Sequence, residues 1–352
     1  MLIGRHQTAA PTIPFLPYNA EPPAGLTPSH ISFLAPYLAP PYLTTPTLER
    51  LSQQFVAASE IALHNFLHPD LAAKIKTETE ATDTGDYDRP GLPEQDLGEG
   101  DGWSIHGPPS KHRYLSLSST APSTATASLQ TILNTLLPSE AFRAWLSVVS
   151  SLAPTGYRAE ARRFRRGLDY TLAAGEEKSG EARLDVWLGA TWWADVPAGS
   201  DEEDVLAEHG GWDCYLAAPA ETEDPAVYQS SVAKKALRDE AETTNGNAEW
   251  SKSEQGATDG NGRGSGELEM DPSQLSSSDF DSDSDDNGID EPLLTQPASF
   301  NKLLLVLRDP GVMRFVKYLS AGARGSRWDV GGEWEVGVIE EADEDGNLGP
   351  GT

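Results

Sequence analysis

The stretch Arg162-Arg163-Phe164-Arg165-Arg166-Gly167-Leu168-Asp169-Tyr170-Thr171-Leu172 constrains the fold more than any other part of the chain. A basic, aromatic run turns at one glycine into a Tyr-Thr-Leu strand. β-Branched and aromatic residues alternate there with polar ones, the mark of a strand with one buried face. Residues 183–188 (Arg-Leu-Asp-Val-Trp-Leu) offer it an antiparallel partner. Four arginines beside such a strand are costly to bury, so they must line a groove, pair with carboxylates or reach solvent.

What precedes this run reads as helical cladding. Residues 1–28 carry six prolines from Pro11 to Pro28 and are expected to form a disordered leader. Thr27-Pro28-Ser29 opens a short helix that Pro40 and Pro41 end. Thr45-Pro46 starts a second, in which Leu48, Leu51, Phe55, Ala58, Ile61, Ala62 and Phe66 recur at helical spacing over about five turns. A third is expected over 69–79, a loop over 80–102, a strand over 111–117, and a helix pair over 129–137 and 139–152, the latter capped by Ser139.

After the run come strands at 212–216 and at 302–307 (Lys-Leu-Leu-Leu-Val-Leu), the second apolar enough to be buried on both faces. Asp309-Pro310-Gly311 turns the chain into 312–319, and 327–330 with 334–338 reads as a hairpin about Gly331-Gly332. Helices first and many short antiparallel strands later, without βαβ alternation, indicate an α+β fold whose strands close as a sandwich or jelly roll. One domain is expected over 29–220 and 293–338, interrupted at 221–292 by an acidic disordered insert and followed at 339–352 by an acidic tail. Residues 221–291 hold 19 acidic against 5 basic residues, a net −14 of the chain's −29.

That acidity argues against general nucleic-acid binding. No run reaches the roughly 20 apolar residues a membrane span requires. The single cysteine, Cys214, excludes an internal disulfide and a cysteine-rich zinc site, and fits a reducing compartment, the cytosol or nucleus.

Several stretches together resemble the C-terminal domain of the eukaryotic, especially fungal, 2-oxoglutarate- and iron-dependent prolyl 3,4-dihydroxylases. They are Gly102-Trp103 with Gly107-Pro108-Pro109 and Arg113-Tyr114-Leu115, Phe142-Arg143-Ala144-Trp145-Leu146, the 162–173 run, Gly210-Gly211-Trp212-Asp213-Cys214-Tyr215, Leu305-Val306-Leu307-Arg308-Asp309-Pro310-Gly311, and Ser326-Arg327-Trp328-Asp329-Val330. Arg166 departs from the family's usual proline. The resemblance implies a double-stranded β-helix (jelly-roll, cupin-like) with N-terminal helices packed on it. It implies an enzyme family that hydroxylates a proline of a small-subunit ribosomal protein and, in fungi, includes an oxygenase controlling degradation of a sterol-regulatory transcription factor. Such enzymes carry two successive β-helix domains with the iron site in the first, and this chain matches the second. Fe(II), 2-oxoglutarate and ascorbate are then expected in an absent N-terminal domain, with none in this chain. The expected role is a non-catalytic scaffold in nucleus and cytoplasm. Its expected partners are proteins: the catalytic domain and ribosomal-protein or transcription-regulator substrates. The alternative is an active dioxygenase, either in itself or as an incomplete gene model.

Non-haem iron needs two histidines and a carboxylate on one face of the metal. The one His-x-Asp is His68-Pro69-Asp70, with His209 as an arithmetical third ligand. A helix start explains it better, Pro69 being an N1 residue and Asp70 complementing the helix N-terminus. His106 and His112 read as surface or hydrogen-bonded histidines. Asp169 and Asp185 are suited to acid–base work or, with Arg162, Arg163, Arg165 and Arg166 nearby, to salt bridges, the favoured use. Those arginines are alternatively a groove for an acidic partner, and Arg324-Gly325-Ser326-Arg327 resembles an anion-binding turn. Trp192-Trp193 is expected at a sheet edge as a partner contact, most of the other tryptophans in the core and Trp250 in the insert. Ser278, Ser282 and Ser284 precede acidic residues as phosphorylation candidates. No catalytic, cofactor-binding or metal-ligating residue is assigned from the sequence.

Overall fold

The strands form two antiparallel sheets, and the basic run begins on the last residues of a strand of the larger one. The computed structural model describes residues 13–21, 23, 25–88, 95–173, 181–194, 202–217 and 292–338. All belong to one unit, residues 1–218 with 291–352; the other unit, 219–290, lies outside the described residues. So do the tail expected at 339–352 and the insert expected at 221–292, Pro292 excepted.

The strands are β1 (Leu16–Pro17), β2 (Glu60–His64), β3 (Trp103–His106), β4 (His112–Leu117), β5 (Leu152–Phe164), β6 (Tyr170–Thr171), β7 (Arg183–Ala190), β8 (Trp212–Ala217), β9 (Leu294–Pro297), β10 (Phe300–Arg308), β11 (Val312–Val316) and β12 (Arg327–Val338). The larger sheet has the order β2-β10-β7-β12-β5-β4-β3, and the smaller β11-β8-β9. From β7 onward the chain passes back and forth between the sheets: β7 in the larger, β8 and β9 in the smaller, β10 back, β11 out, β12 back. β6 continues the same alternation after β5, since the amide of Val316 on β11 donates to the Thr171 hydroxyl. This is the strand order of a double-stranded β-helix, as expected. It separates β6 from β7, which pairs instead with β10 and β12; β6 pairs with β4 through His112↔Thr171.

The helices are α1 (Pro28–Leu34), α2 (Thr45–Ala58), α3 (Pro69–Asp86), α4 (Ala127–Thr131), α5 (Glu140–Ser150) and α6 (Glu202–His209). Ser139 caps α5 by accepting from the Phe142 amide at 3.1 Å, as its position predicts. Phe142, Trp145, Leu146 and Val149 of α5 are fully buried. They pack with Leu51 and Phe55 of α2, Ile75 of α3, and Leu184, Val186, Leu305, Val330 and Trp334 from the larger sheet. The apolar core therefore lies between the helices and the outer face of that sheet.

Four expectations are corrected. The helix expected to run through Phe66 ends at Ala58, because Ser59 turns left-handed (φ 58°) and residues 60–64 become β2 against β10. The third helix does not stop at 79; it continues to Asp86, so the loop expected from residue 80 begins later. The hairpin about Gly331-Gly332 is one unbroken strand, β12, flanked by β5 and β7. A Cβ at Gly331 would sit 2.1 Å from the Val186 carbonyl oxygen, and one at Gly332 2.0 Å from that of Arg158. These glycines admit neighbouring strands rather than make a turn. Finally, the leader is ordered in part: β1 pairs with β5, and the buried Arg143 of α5 donates to the Ala20 carbonyl at 2.9 Å. A buried guanidinium needs acceptors, and the leader supplies them.

Candidate functional site

Side chains alternate across a strand. With apolar residues facing the helices, charged ones face the space between the sheets. Along β5 these are Arg158, Glu160 and Arg162; along β12, Arg327, Asp329 and Glu333; from β7, Asp185 and Trp187. Arg308 of β10, Asp213 and Tyr215 of β8 and Arg314 of β11 complete the set. The barrel interior is thus ionic.

Its charges form two chains of alternating sign. Arg162 grips Asp329 with two parallel bonds, Nε to Oδ1 at 2.7 Å and Nη2 to Oδ2 at 2.9 Å. Arg327 lies 3.7 Å from Asp329 and also bonds Asp213, which accepts from Arg314 Nη2 at 2.6 Å. In the second chain Asp185 accepts from Arg308 Nε at 3.1 Å, Arg308 Nη2 lies 3.0 Å from Glu333, and Arg158 Nη2 donates to Glu333 at 2.6 Å. Burial pushes Asp213 up, but Arg314, Arg327 and Arg162 outweigh it and its carboxyl sits below the usual range. At Asp185 burial prevails over Arg308, and the carboxyl rises to about 6. Glu160 is also pushed up by burial; it accepts from the Tyr114 hydroxyl at 3.0 Å.

A cavity of about 270 Å³ opens inside the barrel beside these chains. Its wall includes Arg162, Arg314, Trp187, Tyr114, His106 and His112. The two imidazoles stack with centroids 4.8 Å apart, and Tyr114 lies 5.1 Å from His106. Burial lowers the pKa of both histidines, and His106 and Lys111 add to the effect at His112. The reading of these two as surface or hydrogen-bonded groups missed their pairing, which exists only once β3 and β4 are aligned.

The basic run is resolved into its parts. Arg163 donates to Asp83 and Asp86 of α3 at 2.9 and 2.6 Å; Arg165 holds Asp169 at 2.7 Å with both side chains fully buried. Arg166 lies over the Tyr87 ring at 4.5 Å. Asp169 and Asp185 are therefore salt-bridge partners, the favoured use, and Arg162, Arg163 and Arg165 do not form an open groove. The turn at 324–327 does bind an anion, the chain's own Asp83, through the Ser326 amide at 2.7 Å. Trp193 is buried, its Nε1 donating to the Ser326 carbonyl at 3.1 Å, and Trp192 carries the Lys76 ammonium 2.9 Å above its ring. Trp193 is thus a core residue rather than an edge contact, while Trp192 is half-buried. Ser278, Ser282 and Ser284 lie outside the described residues.

The His68 side chain caps α3, accepting from the Asp70 amide at 3.3 Å, while the Asp70 side chain is 85% exposed. His209 ends α6 beside Glu208. Among the described residues no group of three or more His, Cys, Asp or Glu side chains is placed to hold a metal ion. Inside the barrel Asp185, Asp213, Asp329 and Glu333 are already engaged by arginines, and taking one away would strand a buried guanidinium. Among the described residues the donor set inside the barrel does not fit Fe(II). Asp83, Asp86, Asp213, Arg308 and Arg314 were not singled out as a network. The signal available was period-2 charge, as in Arg158-x-Glu160-x-Arg162.

The sequence profile of the family described as "oxoglutarate and iron-dependent oxygenase degradation C-term" matches residues 29–344. The chain is 26% identical over 314 residues to prolyl 3,4-dihydroxylase OGFOD1 of Ostreococcus tauri, covering 87% of this chain and 49% of that protein. It therefore spans about half the length of the curated relative it matches. Among solved structures it is similar to a Pseudomonas putida prolyl-4-hydroxylase (8% identity, TM-score 0.41, 82% of this chain and 99% of that one). It is also similar to a Trichoplax adhaerens prolyl hydroxylase in complex with a peptide fragment of the hypoxia inducible factor oxygen degradation domain (9% identity, TM-score 0.36, 83% and 93%).

Proposed function

The chain belongs to the oxoglutarate and iron-dependent oxygenase degradation C-terminal family, and we propose that it serves there as a non-catalytic scaffold and protein-binding module. In this reading it packs on an iron-bearing prolyl hydroxylase domain and offers surface to that enzyme's protein substrates, in the nucleus or cytoplasm. Chemistry with iron, 2-oxoglutarate and ascorbate belongs to the partner domain.

The observation that supports this is the occupation of the barrel interior by arginine–carboxylate pairs. A dioxygenase would place two imidazoles and a free carboxylate about one point. Here four interior carboxylates are bound to guanidiniums, whose positive charge opposes a divalent cation. The exterior histidine pair with Asp70, His68 and His209, sits at the start of α3 and the end of α6.

Anaerobic titration of the purified chain with Fe(II), followed by a succinate-release assay with 2-oxoglutarate, ascorbate and a prolyl peptide, tests the proposal. The expected result is no stoichiometric iron and no succinate above background. Stoichiometric iron with turnover that His68→Ala abolishes would overturn it.

A further inference from the structure

We propose that the barrel cavity is a binding site for a small organic oxyanion, a carboxylate or phosphate group held by Arg162 and Arg314 with its body against the aromatic wall. The inference is independent of the scaffold role and needs no metal.

The donors carry the argument. A guanidinium has five N–H groups. Arg162 uses Nε and Nη2, both on Asp329, and among the described residues its Nη1 donates to nothing. Arg314 donates only from Nη2, to Asp213, leaving Nη1 unused and a buried Nε without a partner. Their side chains are 5% and 9% exposed, yet both line the cavity. Unused donors are ordinary on a surface but uncommon in an interior, where each costs its desolvation.

The two cations are also neighbours. Their guanidinium carbons lie 3.8 and 4.2 Å from the centroid of the same Trp187 indole, and each opposes the other's charge. An anion shared between them relieves that repulsion and accepts from the spare N–H groups, the forked geometry for which arginine suits carboxylate and phosphate.

Size and wall set the ligand class. A volume of about 270 Å³ exceeds what one or two waters need and lies just under the range of small-molecule sites, roughly 300–1,000 Å³. Tyr114, Phe315 and the His106–His112 stack give it a planar side, and the two carboxylates on its wall, Glu160 and Glu333, are taken up by Tyr114 and by Arg158 with Arg308. A compact acid with a flat or short apolar body fits; a long polyanion does not. The chain's net charge of −29 disfavours anions overall, so binding would have to be local.

The test is isothermal titration of the whole chain with inorganic phosphate, succinate and benzoate at fixed ionic strength, up to about 10 mM. A Kd below about 1 mM is expected for at least one probe. Saturation by phosphate alone assigns a phosphorylated ligand, and by the carboxylates alone an organic acid; either supports the proposal. Arg314→Lys keeps a cation for Asp213 but loses the fork, and should weaken binding at least about tenfold. Leu172→Trp narrows the cavity from a half-exposed position that touches no ion pair, and should weaken it likewise while leaving the circular dichroism spectrum and Tm unchanged. No saturation by any probe, or equal affinity in a folded Leu172→Trp variant, would overturn the proposal.

Discussion

Arg163 Nη2 on β5 donates to Asp83 Oδ1 on α3 over 2.9 Å, and the other oxygen of that carboxylate accepts from the Ser326 amide and from Trp328 Nε1. One side chain on a helix thus holds two strands of the larger sheet. The guanidinium also lies 4.6 Å from the Trp328 ring, so charge, hydrogen bonds and aromatic contact converge where α3 meets the barrel.

Asp83→Ala should therefore be severe. It leaves a guanidinium that is 1% exposed without its main partner, which costs about 3–5 kcal/mol in buried pairs. Asp86 bonds the same arginine but is 25% exposed, and Asp86→Ala should cost only about 1 kcal/mol. Urea denaturation of both variants checks the ranking; equal midpoints would show that the Asp83 bonds contribute nothing particular.

The glycines of β12 offer a contrast within one strand. Gly332→Ala drives a methyl to 2.0 Å from a backbone oxygen, and a loss of about 1–3 kcal/mol or more is expected. Gly337→Ala meets nothing closer than 4.0 Å and should change stability by no more than about 0.5 kcal/mol. Thermal melts of the two proteins side by side make the measurement.

His106 and His112 are held below the usual imidazole pKa, mainly by burial. The unfolded chain therefore takes up protons near pH 6.5 that the folded chain refuses, and stability should fall as the pH drops from about 7 toward 5. His112→Gln should flatten that part of the profile. Unfolding free energy measured across this window gives the slope; an unchanged slope would remove the histidine pair as its source.

Asp101 behaves in the opposite sense. Slight burial pushes it up, but the Thr124 and Ala125 amides and the Ser123 and Thr124 hydroxyls outweigh it and hold its carboxyl at about 2. Its contribution is present above about pH 4 and is lost as the pH falls through 2. Asp101→Ala should cost about 1 kcal/mol at pH 7, in the range of a capping side chain, with the gap to wild type closing as the solution is acidified. Parallel denaturation series at pH 7 and pH 3 test this.

Several elements were legible because their cause is local. Ser139 before Phe142, Trp145, Leu146 and Val149 specifies a capped helix from local residues alone, and Lys302-Leu-Leu-Leu-Val-Leu, short and bounded by Asp309-Pro310-Gly311, suits a strand buried on both faces. Residues 60–64 were not legible, since Glu-Ile-Ala-Leu-His continues the helical spacing of α2 and also suits a strand; the free edge of β10 decides. Residues 80–86 carry too little apolar surface to read as helix, and the Arg163 and Trp328 bonds to Asp83 favour it only when the barrel stands beside it. In the candidate site the arginines could be read, their function as ion-pair partners could be favoured, but which carboxylates they meet depends on strands more than 100 residues apart, as with Arg162 and Asp329.

From its residues alone the chain determined its class: helices first, antiparallel strands after, one cysteine and an acidic interruption. The tertiary structure decided which face of the larger sheet takes the helices and which takes the charges. Alternation along a strand fixes only that the two sets lie on opposite sides. The choice between sides follows from long-range pairing, because a buried arginine is tolerable only where a carboxylate from a distant strand arrives to meet it.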